Sequence, residues 1–462
     1  MRRRLLNIAA VFALLFALLA AQEARVQVAE RDSISTHAGD PRHARGIAQR
    51  GELLDATGEP LAISRNGKRV YPAGSALAQI VGYSSLVYGE AGLEAAFDSV
   101  IAPTGRDQLS ALGSFGRTDV AVSPPGSVVL TLRRDISAVV DGAMPQGVRG
   151  AAIVLDPRTG AILAMVDRPT FDPNDVDKAF SSLRARSDAP LLNRALDGLY
   201  PPGSTFKIVT ASAALDHGAV DASDSFVDPG YFQIGPYSVH NDQNEVTGTQ
   251  NVTGAFALSS NVDFAQIGIK LGADNFYYYL QRFHVGDVTG MAVPMTRDVV
   301  PPETSISDSE LAQMSFGQGG LAVTPLRMAL VAAAIANGGS MMRPTLVKEI
   351  RMPGRQTLLV PPAEWGRAVT ADTAASVRDM MIAVVRYGTG TAAAIPGVTV
   401  AGKTGTGTHN GAPPDAWFVC FAPAQTPRLV VAVVIEDAGY GGAVSAPIAR
   451  AIMQASLPLY PR

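Results

Sequence analysis

A chain of 462 residues with 47% apolar and 17% charged side chains is long enough for two or three domains and too apolar to stay unfolded. A net charge of −3 supplies no basic field, so nucleic acid is excluded as a partner. With one cysteine, Cys420, the chain can form neither an internal disulfide nor a cysteine metal cluster.

Arg2, Arg3 and Arg4 open the chain, ahead of an uncharged run from Leu5 to Ala21 broken only by Asn7. At about 17 residues, the run is at the short limit for a membrane-spanning helix. The leading arginines predict a cytoplasmic tip over 1–4 and a single-pass anchor over 5–21, with the body extracytoplasmic at the cell membrane. The alternative is a cleaved secretory signal, because small Ala20 and Ala21 close the run.

Residues 22–148 carry many Gly, Pro and Ser punctuations and short strand-like runs. Ser127–Leu132, behind a Pro124-Pro125-Gly126 turn, is one of them. This stretch reads as a small β-rich, non-catalytic domain. From 149 to 462 the pattern sharpens. Two apolar runs, Ala151–Leu155 and Ile162–Val166, flank Asp156-Pro157-Arg158-Thr159-Gly160 and predict an antiparallel hairpin. Helical patterns follow at Ser204–Leu215, Asn251–Leu258 and Pro325–Ala336. Three strand-like runs come next, at Val398–Thr404, Ala416–Phe421 and Leu429–Ile435, and a helix over Ser445–Ala455 closes the chain. Strands, then helices, then strands predict an α+β, multi-domain protein. Its main domain is an antiparallel five-stranded sheet completed by both ends of its own sequence, flanked by helices and interrupted by a helical insertion.

Three short strings carry chemistry. In Pro201-Pro202-Gly203-Ser204-Thr205-Phe206-Lys207 the turn places Ser204 at a helix N-terminus, with Lys207 one turn on and on the same face. Free backbone N–H groups there favour negative charge developing on the hydroxyl. A neutral Lys207 can take the serine proton. Keeping a lysine neutral near physiological pH costs about 4 kcal/mol, which burial and a second cation can supply. By itself Ser-x-x-Lys arises by chance about once in a few hundred residues, and a serine N-cap beside a solvated lysine explains it equally well.

Ser259-Ser260-Asn261 offers a second hydroxyl and an amide, for proton relay and for gripping a carbonyl; an ordinary helix-ending turn is the plain reading. Lys403-Thr404-Gly405-Thr406 ends an apolar strand and arises by chance about once in several thousand residues. Gly405 is expected to let a substrate backbone approach the strand edge, while Lys403, Thr404 and Thr406 attract a carboxylate. The order Ser-x-x-Lys, Ser-x-Asn, Lys-Thr-Gly, on helix, turn and strand, is the signature of penicillin-binding proteins and class A β-lactamases. Other chemistries find no pattern. The six histidines are never paired at metal-ligand spacing, so no metal and no cofactor is expected, and Gly388-Thr389-Gly390 lacks the lysine of a phosphate loop. Trp417 and Phe418 are expected to pack in the sheet.

Beyond these motifs the chain resembles a class B penicillin-binding protein of the compact penicillin-binding protein A type. The resemblance covers about residues 50–100 and 150–440. It is carried by Arg50-Gly51-Glu52-Leu53-Leu54-Asp55, Tyr71-Pro72-Ala73-Gly74, Gly92-Leu93-Glu94, Asn193-Arg194-Ala195, Gly317-Gln318-Gly319, Thr324-Pro325-Leu326 and Gly388-Thr389-Gly390-Thr391. It departs at Ala56, where many relatives have Arg, and at Cys420, where Gly is common.

The resemblance implies a β-lactamase/transpeptidase-like domain and a peptidoglycan D,D-transpeptidase activity. It implies Ser204 as the acylated nucleophile, Lys207 as base, Ser259 as proton relay and Asn261 as carbonyl holder. Lys403, Thr404, Gly405 and Thr406 would form the carboxylate-binding edge, with the N–H groups of Ser204 and Thr406 as oxyanion hole. Implied partners are D-Ala-D-Ala stem peptides, β-lactams that trap the serine, and a SEDS-type membrane glycosyltransferase. The competing readings are a D,D-carboxypeptidase or β-lactamase-type hydrolase, and a β-lactam-sensing receptor.

Overall fold

The computed structural model describes residues 50–102, 124–409 and 411–460. The expected tip and anchor over 1–21 lie outside them; among the described residues, no helix is long and apolar enough to cross a membrane.

Five strands form the antiparallel sheet, in the order Ala401–Gly407, Asp415–Ala422, Leu429–Ile435, Gly150–Leu155, Ile162–Arg168. Apart from Asp415, the last two strands in chain order are apolar because both faces of the sheet are covered. Along Ala416–Phe421, side chains alternate between two cores. Trp417, Val419 and Phe421 join the larger core, with the Pro325–Ala336 helix. Ala416, Phe418 and Cys420 join the smaller one, with the Ser445–Leu459 helix. A two-residue period fed into two layers makes a helix–sheet–helix sandwich.

The Pro325–Ala336 helix starts where sequence placed it. Thr324 caps it by accepting from the Arg327 N–H, and Pro325 occupies a position needing no N–H donor. In the insertion, two short antiparallel pairs join the expected helices: Ser225–Asp228 with Gly248–Asn251, and Tyr231–Ile234 with Tyr237–His240. They are too short and too exposed to leave a clear alternation in sequence.

A small sheet and one helix join segments from the two sides of the boundary expected at 148/149. The small sheet runs in the order Leu358–Leu359, Val347–Arg351, Ser127–Leu130, Leu53–Leu54, Pro60–Arg65, Lys68–Val70. Two of its strands therefore come from beyond residue 340. Conversely, the Arg134–Ala143 helix contributes Ile136 and Val140 to the core under the large sheet. Beside the small sheet, Arg50 pairs with Glu90, Glu94 and Asp98, and Arg69 with the fully buried Glu94. Buried carboxylates are tolerated there because guanidinium forks meet them.

Candidate active site

The turn carrying Ser204 is held from behind. Trp417, wholly buried in the sheet, donates its indole N–H to the Pro201 carbonyl at 3.1 Å, and Tyr200 packs edge-on against its ring. Gly203 has φ +51°, and a β-carbon there would lie 2.3 Å from the Thr406 carbonyl oxygen. Only glycine combines that conformation with that approach. Gly317 is pressed onto Gly203 in turn: a β-carbon on it would sit 2.0 Å from the Gly203 carbonyl oxygen.

A β-carbon at Gly405 would meet the Pro202 carbonyl oxygen and Thr205 Cγ2, each at 2.8 Å. The missing side chain makes room for the protein's own serine turn.

The helix also begins differently from its expected form. Gly203–Phe206 is a 3-10 turn, and the α-helix proper runs Lys207–Asp216. The Lys207 N–H donates to the Ser204 carbonyl. At three residues per turn, positions i and i+3 eclipse, so Lys207 stacks more directly beneath Ser204 than an α-helix would place it.

Lys207 is completely buried. Its Nζ donates to the Ser259 carbonyl at 2.6 Å and to Asn261 Oδ1 at 2.8 Å, and lies 3.4 Å from Ser259 Oγ. Lys403, equally buried, donates from Nζ to Ser259 Oγ at 2.8 Å and to the Thr404 carbonyl at 3.3 Å. One hydroxyl thus stands between two amines. Phe264 lies 5.4 Å from the Lys207 amine and Phe256 lies 5.5 Å from the Lys403 amine, keeping both dry. Burial pushes Lys207 down to about 7, against the opposing charges of Asp242, Asp263 and Asp228. Burial, and then the charge of Lys207, holds Lys403 well below the ordinary lysine range. Two amines sharing one hydroxyl in a low-dielectric site cannot both hold a full charge.

Ser259 sits in the left-handed region at φ 66°, where it ends the Val252–Leu258 helix. Such a conformation in a non-glycine residue persists only where its surroundings fix it. Those surroundings are a polar network that sequence reading missed. Asp228, fully buried, accepts at Oδ2 from Asn241 (2.6 Å), Thr247 (2.6 Å) and Ser260 (2.9 Å), and at Oδ1 from the Gly230 N–H. Burial alone would raise its pKa, but these donors hold it below the ordinary range. Asn241 Oδ1 then accepts from the Asn261 N–H at 2.7 Å, and Ser260 Oγ caps the Asn261–Leu271 helix. Asp228 therefore reaches Ser259 and Asn261 through their own backbone neighbours. No short motif announces it, because its side-chain partners lie 13 to 32 residues further along the chain.

Asn261 spends its amide inside the protein here, its Nδ2 donating to the His240 carbonyl at 3.2 Å. Ser204, Ser259, Thr389 and Thr406 line one cleft together with Asp242, Glu245 and Tyr440. Gln243 reaches across to the Tyr440 hydroxyl at 3.2 Å. All three motifs are thus brought to one place. His409 meets Asp415 at 3.2 Å and Asp437 at 3.6 Å, tying down the hairpin beyond Thr406.

A nucleophilic hydroxyl, a dry amine beneath it, a relaying hydroxyl and a glycine-bearing strand edge are the parts of serine acyl transfer. The penicillin binding protein transpeptidase domain family matches residues 150–454, and the penicillin binding protein A dimerisation domain family matches residues 50–114. The peptidoglycan D,D-transpeptidase PbpA of Mycolicibacterium smegmatis is 35% identical, with 99% of each chain covered. Penicillin-binding protein A from M. tuberculosis, solved as a ceftriaxone acyl-enzyme complex, superposes with a TM-score of 0.81 at 33% identity, over 90% of this chain and 99% of that one. A D,D-transpeptidase domain from Eggerthella lenta gives 0.80 at 34% identity, over 89% of this chain and 99% of that one. The chain belongs to the penicillin-binding protein transpeptidase family, as a class B D,D-transpeptidase.

Proposed function

We propose that this protein cross-links peptidoglycan stem peptides through an acyl-enzyme on Ser204. Lys207, uncharged, takes the serine proton as Oγ attacks the carbonyl of the D-Ala-D-Ala bond. Ser259 passes a proton from the amine side to the departing D-Ala nitrogen. An amine from a neighbouring stem peptide then attacks the ester, and Ser204 recovers its proton. Arrival of a substrate carboxylate beside Lys403 favours a proton on that amine and leaves Lys207 as base. β-Lactams enter the same path and stop at the ester. The observation that carries this reading is Ser259 Oγ, within 2.8 Å of one buried lysine and 3.4 Å of the other, on the wall of the cleft that holds Ser204.

Two further assignments belong to the same proposal. Residues 5–21 anchor the chain, with the catalytic body extracytoplasmic, and glycan polymerisation comes from a SEDS-type membrane glycosyltransferase. The composition of the first 21 residues supports the anchor, and the family resemblance supports the partner.

The test is incubation of the purified protein with a D-Ala-D-Ala-terminated donor and an acceptor amine. Aminolysis product with release of D-Ala is expected, and none from Ser204→Ala. Hydrolysis alone at saturating acceptor would overturn the transferase assignment in favour of a carboxypeptidase.

A further inference from the structure

A hydroxyl outside the three motifs stands on the wall of the Ser204 cleft. Thr389 follows the Ala371–Arg386 helix, and its Oγ1 lies 2.6 Å from Oγ1 of Thr404. Its backbone is fixed from two sides. The N–H donates at 3.1 Å to the carbonyl of Ala257, in the short helix that ends at Ser259. The carbonyl of Thr389 is packed so tightly against Gly442 that a β-carbon there would lie 2.5 Å from it. Gly388 abuts the Ala257 carbonyl oxygen in the same way, at 2.2 Å from its would-be β-carbon. Thr389 is thus pinned between the element that presents Ser259 and the loop behind the Lys403 strand.

A threonine hydroxyl has one proton and two acceptor lone pairs. When two such groups share one hydrogen bond, one proton is consumed and the other is left to point elsewhere. Thr404 is buried, whereas Thr389 is exposed. The charged side chains lining the cleft itself are Asp242 and Glu245, both anionic. An incoming carboxylate must therefore be met by neutral donors, with the Lys403 amine behind them.

We infer that Thr389 is a specificity-determining residue for the donor's terminal carboxylate: its hydroxyl accepts from the buried Thr404 behind it and donates its own proton into the cleft toward that anion. The inference rests on the transpeptidase reading above. In this arrangement Thr389 distinguishes ligands that carry the free carboxylate from those that lack it, and adds nothing to the reactivity of Ser204 itself.

The experiment compares acylation by benzylpenicillin with acylation by its methyl ester, in the wild type, Thr389→Val and Thr389→Ser. Valine keeps the shape and removes the hydroxyl; serine keeps the hydroxyl. Thr389→Val should slow acylation by the free acid about tenfold and leave the ester within about twofold, and Thr389→Ser should restore the free acid rate. Equal slowing with both ligands would show a purely structural role, and no slowing with either would show an idle hydroxyl; each overturns the inference. Should Ser204→Ala still be acylated, the assignment of the site fails as a whole, separately from Thr389.

Discussion

At Lys207 and Asp263 the chemistry of one side chain is set by the burial of another. Asp263, two positions beyond Asn261, is fully buried, and among the described residues neither of its carboxylate oxygens has a hydrogen-bond partner. Burial first, then the charge of Asp228, pushes it up to about 6, against the pull of the Lys207 charge. Its ordinary value is 3.8, so between pH 3.8 and about 6 the native protein keeps a proton that the unfolded chain has released. Stability therefore falls as pH rises through that window and stays lower above it. Asp263→Asn should remove this penalty, raising stability at pH 7 by about 1–3 kcal/mol while leaving pH 4 nearly unchanged. The charge of Asp263 also supports the ammonium form of Lys207, so the rise of acylation rate with pH should move to lower pH in the variant. Thermal unfolding at the two pH values and a pH–rate profile check both. A variant no more stable than wild type at pH 7 would mean that the carboxylate is stabilised ionised.

Among elements, the join between the serine turn and the Lys403 strand is the most demanding. Gly203→Ala places a β-carbon 2.3 Å from the Thr406 carbonyl oxygen, in a left-handed conformation. The substitution should cost about 2–4 kcal/mol of stability and slow acylation by about a hundredfold or more. Gly218→Ala is the control. It shares the positive φ, at +76°, but nothing lies within 4 Å of its β-carbon. It should cost about 1 kcal/mol and leave acylation intact. Chemical denaturation and β-lactam acylation kinetics separate the two. The neighbouring strands Asp415–Ala422 and Leu429–Ile435 were legible in the sequence because burial on both faces makes them nearly unbroken apolar runs, whereas the Lys403 strand, expected over Val398–Thr404, runs Ala401–Gly407. Pro325–Ala336 was legible because Thr324 and Pro325 mark its start. The 3-10 form of the Ser204 turn was not, since no residue type distinguishes it from a first α-helical turn. Asp228 and Asn241 escaped for a different reason, each acting through a partner brought near only by tertiary folding; Thr389 was visible as part of the Gly388–Thr391 likeness, but its pairing with Thr404 was not.

For the whole molecule, the shared small sheet links the two parts of the chain. Val347–Arg351 pairs antiparallel with Ser127–Leu130, and Leu358–Leu359 pairs outside it. A fragment of residues 149–462 keeps the five-stranded sheet but strips Val347–Arg351 of its neighbour and removes the Arg134–Ala143 helix from the smaller core. It should be less soluble and unfold at a markedly lower temperature than a fragment of residues 50–462, because losing Ile136 and Val140 uncovers apolar core and Val347–Arg351 loses its ladder hydrogen bonds to Ser127–Leu130. Equal solubility and melting temperature would show that the small sheet contributes nothing to the catalytic part.

The measurement that bears most directly on the acyl-enzyme is intact-mass spectrometry after exposure to benzylpenicillin, with peptide mapping of the adduct. One adduct per chain is expected, equal in mass to the whole β-lactam and located on Ser204, and none on a folded Ser204→Ala protein. An adduct on any other residue, or one that persists in that variant, would contradict the account.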